Sequence, residues 1–197
     1  MNDIIFIISK DCLSKEALPV YGNKYWKTPN IDALAKKGCV FSNYYAAGGS
    51  TWMAISSMMS GKYPYEFKSR KTYEQVVPNE HKSLFDIFQE KGYETHIIWD
   101  IEWEDESEKY CSVFGDRSKT VSRSPVISQN CGSHANISDE HNKRDDEKAA
   151  QTMEEIKAAV DSIDFSKKQF VYMHLPHVLL GRRCYMDDMD LFDEVVG

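Results

Sequence analysis

The chain has 197 residues, 42% of them hydrophobic and 28% charged, with a formal net charge of −7. These values are those of an ordinary globular protein, long enough to bury a real core. The acidic balance excludes a general nucleic-acid binder, which needs Lys and Arg to displace counterions from phosphates, but is compatible with an anionic substrate held beside a metal ion.

The first apolar run, Ile4 to Ile8, is far shorter than the roughly 20 residues a bilayer span requires. Only Met1, Asn2 and Asp3 precede it, with no basic segment, so neither a membrane span nor a signal peptide is read here. The five cysteines, Cys12, Cys39, Cys111, Cys131 and Cys184, are odd in number and form no CxxC pair. That pattern fits reduced thiols, and a cytoplasmic location is expected.

In chain order, Ile4–Ser9 predicts a strand buried on both faces of a parallel sheet. Thr28-Pro29 opens a helix with a cap and a first-turn proline, Ile31, Leu34 and Ala35 form its apolar stripe, and Gly38 closes it. Val40–Tyr45 reads as a short strand. Gly48-Gly49-Ser50-Thr51 then turns into a second helix whose Ala54, Ile55, Met58 and Met59 share one face, with Gly61 and Pro64 ending it. Ser83, with Asp86 three residues later, caps a third helix that stops at Gly92. Tyr93–Trp99 is the next strand. Residues 116–146 are polar without a clear period and read as a long loop. Glu147–Ile163 is an amphipathic helix, Phe170–His174 a buried strand, and Asp187–Gly197 is helical in character.

Four places could carry chemistry. A glycine pair before a hydroxyl residue at a helix start can present Thr51 as a nucleophile, and the helix N-terminus favours an anion there. An ordinary helix cap explains the same residues on local grounds. Asp11 lies just past the first strand's C-terminal end, the edge where open α/β sheets bind ligands, and its carboxylate suits a divalent metal. A turn-capping role fits it equally. His174 and His177 follow the strand Phe170–Met173 and could aim at one anionic group, or one of them at a metal, although one structural and one exposed histidine is the more ordinary arrangement. Arg182-Arg183 could clamp a phosphate or sulfate, or form a solvated pair. The carboxylates of 102–108 lack the glycine spacing of a metal loop and read as a solvated face.

Together these segments resemble the sulfatase-like branch of the alkaline phosphatase superfamily. The resemblance is carried by the strand Ile4–Ser9, then Asp11, Tyr21-Gly22 and the run Thr28-Pro29-Asn30-Ile31-Asp32-Ala33-Leu34-Ala35-Lys36-Lys37-Gly38. Ser60-Gly61-Lys62-Tyr63-Pro64 matches the ending of the nucleophile helix, and counting back from it places the nucleophile at Thr51 rather than Ser50. Phe170–His174, Pro176-His177 and Phe192-Asp193-Glu194 resemble later family segments.

The resemblance implies an α/β fold, a mostly parallel sheet flanked by helices, of which residues 1–197 form the N-terminal portion of a single domain. It implies Thr51 as catalytic nucleophile, Asp11 and Thr51 as metal ligands, and Lys62, His174, His177 and Arg182 as contacts to an anionic ester substrate. The metal would be a divalent ion such as Zn, Mn or Ca.

Two departures shape the expectation. Sulfatases oxidise the first residue of Cys/Ser-x-Pro/Ala-x-Arg to formylglycine, whereas Thr51-Trp52-Met53-Ala54-Ile55 lacks the oxidisable residue, the Pro and the Arg. Thr nucleophiles occur in the related phosphoethanolamine and phosphoglycerol transferases, which favours phosphoryl chemistry. Cys12 stands where many sulfatases carry a second metal-binding Asp, and the Asp-His-Gly run that supplies late ligands is absent. The metal site is therefore expected to be incomplete. The readings are a metal-dependent hydrolase or transferase of phosphate or sulfate esters, a truncated and catalytically incompetent module, or a sulfuric ester hydrolase. An incomplete domain would expose sheet edge and apolar surface, so association into a homo-oligomer is expected.

Overall fold

A computed structural model describes residues 3–11, 13–66, 82–100, 120–126, 153–175 and 185–197. Strand β1 (Ile4–Lys10) is followed by helix α1 (Pro29–Lys37), α2 (Thr51–Ser60), α3 (Leu84–Glu90), β2 (Glu94–Asp100) and β3 (Thr120–Val126). Helix α4 covers residues 153–161, and β4 (Gln169–Leu175) and α5 (Tyr185–Val196) complete the order. The four strands form one sheet, ordered β1-β4-β2-β3, and each adjacent pair runs parallel. This is the α/β architecture that the alternating pattern predicts.

β4 is central and buried along its whole length. Side chains alternate across a strand, and here the alternation separates two cores. Val171, Met173 and Leu175 join Ile156, Ala159 and Ile163 of the α4 segment and Met189, Leu191 and Phe192 of α5. Phe170 and Tyr172 face the other way, onto Ile55 and Met59 of α2 and Phe85 of α3. In β1 the same parity holds: Ile5 and Ile7 pack toward α2 and α3, and Phe6 toward α5. The aromatic centre of the α2–α3 side is tight. Phe85 meets Phe170 edge-on with ring centroids 5.0 Å apart, and Phe88 stacks on Phe170 at 4.4 Å. Pairs of this kind contribute roughly 0.5–1.5 kcal/mol beyond their burial.

The helix ends follow local chemistry. Ser83 and Asp86 form the reciprocal capping box expected of them. Gly61 closes α2 with φ +67°, a left-handed conformation that glycine adopts without a side-chain penalty. The start of α1 departs from expectation. Thr28 makes no side-chain cap, and its hydroxyl instead points to Asp32 Oδ1 at 3.5 Å. The carboxylate of Asp193 caps the helix from α5, accepting from the backbone N–H of Ile31 at 2.8 Å and of Asn30 at 3.2 Å.

Four further expectations are corrected. Residues 120–126, placed within a loop, form β3, because pairing with β2 supplies ladder hydrogen bonds that the local sequence does not advertise. Val40–Tyr45 forms no strand. β1 lies at the edge of the described sheet, with Ile4 46% and Ile8 36% exposed, since no described strand pairs beyond it. The apolar stripe of α1 is only partly covered: Ile31 packs against the α5-side core, whereas Leu34 is 60% exposed. No helix among the described residues is long and apolar enough to cross a membrane. Cys12, His177, Arg182 and the remainder of the 116–146 segment lie outside the described residues.

Candidate active site

Strand parity builds the site. Ser9 and Asp11 continue the Ile5–Ile7 face of β1, and Tyr172 and His174 continue the Phe170 face of β4, so all four project toward α2. Ser9 stands opposite His174 in the ladder, and the Asp11 N–H extends that ladder to the Leu175 carbonyl at 3.0 Å. The site thus sits at the C-terminal edge of two parallel strands, where α/β sheets leave room for ligands.

Helix α2 brings Thr51 to the same point. Ser50 is its N-cap, the side chain accepting from the Met53 N–H at 3.4 Å. Thr51 is the first helical residue, and its Oγ1 donates to Asp11 Oδ1 at 2.9 Å. The two hydroxyls therefore divide the work: one satisfies the helix end, the other faces the carboxylate. The glycines before them act by space rather than by a left-handed turn. Neither Gly48 nor Gly49 has positive φ, and a Cβ on Gly48 would strike the Met53 side chain.

His174 is 4% exposed and Tyr172 fully buried. His174 Nε2 lies 3.6 Å from Asp11 Oδ1, and its Nδ1 lies 2.8 Å from Ser9 Oγ. Ser9 Oγ is 2.9 Å from the Tyr172 hydroxyl. Burial, above all, pushes the Tyr172 phenol well above its ordinary pKa of 10; the Ser9 hydrogen bond opposes that shift and the Asp11 charge adds to it. The phenol is thereby favoured in its protonated form, able to donate or accept a hydrogen bond.

The group opens into a cleft of about 680 Å³ lined by Ser9, Asp11, Thr51 and His174, with Tyr44 and Tyr63 among its walls. Lys62 also lines it, its Nζ 3.7 Å from Glu66 Oε1 in a half-exposed pair. Such a pair is weak, which leaves the ammonium available to an anion. The hydroxyl of Ser57, on α2 beside the cleft, is buried without a partner among the described residues.

Hard divalent cations take oxygen ligands, and the Asp11 carboxylate and Thr51 hydroxyl offer two at one point. No group of three or more His, Cys, Asp or Glu side chains converges among the described residues. These residues fit part of a metal site and do not complete one. Of the sequence-derived candidates, the structure brings Asp11, Thr51 and His174 into contact and puts Lys62 on the same cleft. Ser9 and Tyr172 escaped sequence reasoning, although their i, i+2 spacing to Asp11 and His174 on predicted strands marks them as sharing a face.

Comparison with known proteins adds lineage to this geometry. The sulfatase family profile matches residues 2–178. An arylsulfatase of Clostridium perfringens is 31% identical over 99 residues, covering 50% of this chain and 20% of that protein. An N-acetylgalactosamine-6-O-sulfatase of Bacteroides thetaiotaomicron is 28% identical over 100 residues, covering 49% and 19%. The aligned region thus spans about a fifth of the length of these relatives. Among solved structures, the phosphonate monoester hydrolase of Agrobacterium radiobacter superposes with a TM-score of 0.63 at 15% identity, covering 89% of this chain and 41% of that one. The C-terminal periplasmic domain of EcEptC from Escherichia coli, in complex with Zn, superposes at 0.60 with 14% identity, covering 99% and 55%. At these identities the superpositions speak to the fold alone.

Proposed function

The chain belongs to the sulfatase family, and on that premise we propose that it carries the nucleophile half of a metal-assisted ester hydrolase or transferase, with Thr51 as nucleophile and phosphate esters as the favoured substrate class. The observation that carries the reading is the 2.9 Å hydrogen bond from Thr51 Oγ1 to Asp11 Oδ1 at the N-terminus of α2, facing the cleft.

Threonine is a weak nucleophile until its proton is drawn off. Asp11 accepts that proton's hydrogen bond and orients the oxygen lone pairs away from itself. A divalent cation bound at Asp11 and Thr51 would lower the hydroxyl's pKa and neutralise charge on the ester oxygens. The positive end of the α2 dipole favours an anion at the same place. His174 and Lys62 stand on the cleft as donors to the non-bridging oxygens. His177 and Arg182 are proposed to join them from the neighbouring segment. In the reaction the Thr51 Oγ1–P bond forms as the ester P–O bond breaks, and the proton that Thr51 Oγ1 gives up to solvent is matched by the one the departing alkoxide takes from it. Water or an acceptor hydroxyl then displaces Thr51 from phosphorus. The absence of an oxidisable residue at position 51 sets this route apart from formylglycine chemistry.

The protein is incubated with an activated phosphodiester and an activated sulfate ester, each with Zn²⁺ or Mn²⁺, and Thr51 is examined by mass spectrometry for a phosphoryl adduct. Turnover of the phosphodiester falls at least about a thousandfold in Thr51→Ala, as for loss of a nucleophile. Full activity in that variant overturns the reading. A second reading, a module that performs no chemistry alone, is favoured by the incomplete ligand set among the described residues. Its signature is no turnover, and no adduct, with either metal.

A further inference from the structure

We infer that Ser9 and Tyr172 are positioning residues that fix the tautomer of His174, so that its Nε2 carries the proton and faces the cleft as a hydrogen-bond donor. The inference concerns the same site, and its catalytic consequence rests on the reading of Thr51 and Asp11 above; the tautomer itself does not.

The argument is a count of protons along one chain of contacts. Tyr172 is fully buried, and its hydroxyl hydrogen must go to an acceptor. Ser9 Oγ at 2.9 Å is a nearer acceptor than His174 Nδ1 at 3.5 Å, and a proton passed to either leaves Nδ1 as an acceptor at the end of the chain. Ser9 then has its own proton to place. His174 Nδ1 is 2.8 Å distant and the Met173 carbonyl 3.4 Å, so the ring nitrogen is the better acceptor. With Nδ1 accepting, a neutral imidazole carries its hydrogen on Nε2. Nε2 is 3.6 Å from the Asp11 carboxylate, which attracts an N–H and repels a lone pair. In the opposite tautomer Ser9 Oγ would accept from both Tyr172 and Nδ1, and its own proton would be left with the Met173 carbonyl at 3.4 Å. That tautomer would also turn a lone pair toward Asp11.

The consequence separates two roles open to His174. A metal requires the lone pair of Nε2, and in this arrangement the nitrogen has none to give. His174 instead presents an N–H between Asp11 and the cleft, suited to an anionic ester oxygen held near Thr51. Parity makes the device possible: Ser9 and Tyr172 reach the ring because β1 and β4 pair in register at Ser9 and His174.

The experiment reads the two ring nitrogens of His174 by ¹⁵N NMR on the full chain, assigned by their loss in His174→Gln. The expected result is a pyridine-type Nδ1 and a pyrrole-type Nε2 in the wild type. Ser9→Ala mixes the tautomers, Ser9→Thr restores the single form, and Tyr172→Phe weakens it while keeping the ring's packing. Where turnover is measurable, Ser9→Ala lowers kcat/KM on the order of tenfold, as loss of a histidine-orienting partner does, and Ser9→Thr recovers it. A protonated Nδ1 in the wild type, or unchanged nitrogen signals in folded Ser9→Ala, overturns the inference. Should the wild type show the expected tautomer but no turnover, the proposed activity fails and the relay stands.

Discussion

Asp193→Ala tests whether α5 holds the start of α1. Helix α1 opens with Pro29, which has no N–H, so its first turn is left with the donors of Asn30 and Ile31. Both go to the Asp193 carboxylate, at 3.2 and 2.8 Å, and the Asn30 side chain donates to the Asp193 carbonyl at 3.1 Å. Asp193 is 4% exposed, so water replaces it poorly. An N-cap removed by alanine costs about 0.5–2 kcal/mol, and stranding donors that served a charged acceptor raises the figure. About 2 kcal/mol is expected for Asp193→Ala. Asp193→Asn, which keeps one carbonyl oxygen, should lose about half as much. For a chain of this length the alanine variant then melts roughly 4–8 °C lower. Urea unfolding with a common m-value supplies the free energies. A loss below about 0.5 kcal/mol for the alanine variant would refute the idea that this distant carboxylate caps α1.

His96 is 2% exposed, and burial, opposed by its 2.7 Å contact with Gln169 Oε1 and by the Glu94 charge, holds its pKa below the usual 6.5. The unfolded chain therefore binds more protons between the folded pKa and about 6.5, so stability falls as pH drops through that window and is complete above it. Glu94, held below its ordinary 4.5 first by the Lys167 hydrogen bond, acts in the same direction at lower pH. His96→Gln should flatten the upper part of a stability-versus-pH curve measured by denaturation, and an unchanged slope there would count against buried neutral His96. Phe85, fully buried between α2 and β4, should cost about 3–5 kcal/mol when cut to alanine, read by the same denaturation. A loss under about 1 kcal/mol would mean that the α2–α3 side is not a packed core.

Much of the fold was legible because local and global signals agree. Ile4–Lys10, Gln169–Leu175 and the Ser83 helix carry apolar runs or caps that any context would reinforce. β3 was not legible for a physical reason. Thr120-Val121-Ser122-Arg123-Ser124-Pro125-Val126 has polar residues on both parities and a proline, which a strand tolerates at the edge of a sheet. Its strand character comes from pairing with β2. Asp193 escaped for a related reason. It lies more than 160 residues from the N–H groups it caps, and no local pattern reports so distant a partner. The Thr28-Pro29 pair looked self-sufficient, yet Thr28 is turned to Asp32.

The choice between Ser50 and Thr51 shows where sequence reasoning about the site stops and geometry continues. The resemblance placed the nucleophile at Thr51 by counting along a motif, and counting alone gives no reason why the neighbouring hydroxyl should not serve. The helix supplies one. Ser50 has the extended backbone of an N-cap, with φ −126° and ψ 156°, and its oxygen is engaged by the Met53 N–H. Thr51 is the first residue with its side chain outside that cap, and α2 packs by Ile55 and Met59 onto the face of β4 from which His174 projects. Thr51 is thereby delivered to Asp11, 40 residues earlier in the chain. Adjacent hydroxyls are separated by one helical position, and that position decides which of them caps the helix and which meets Asp11.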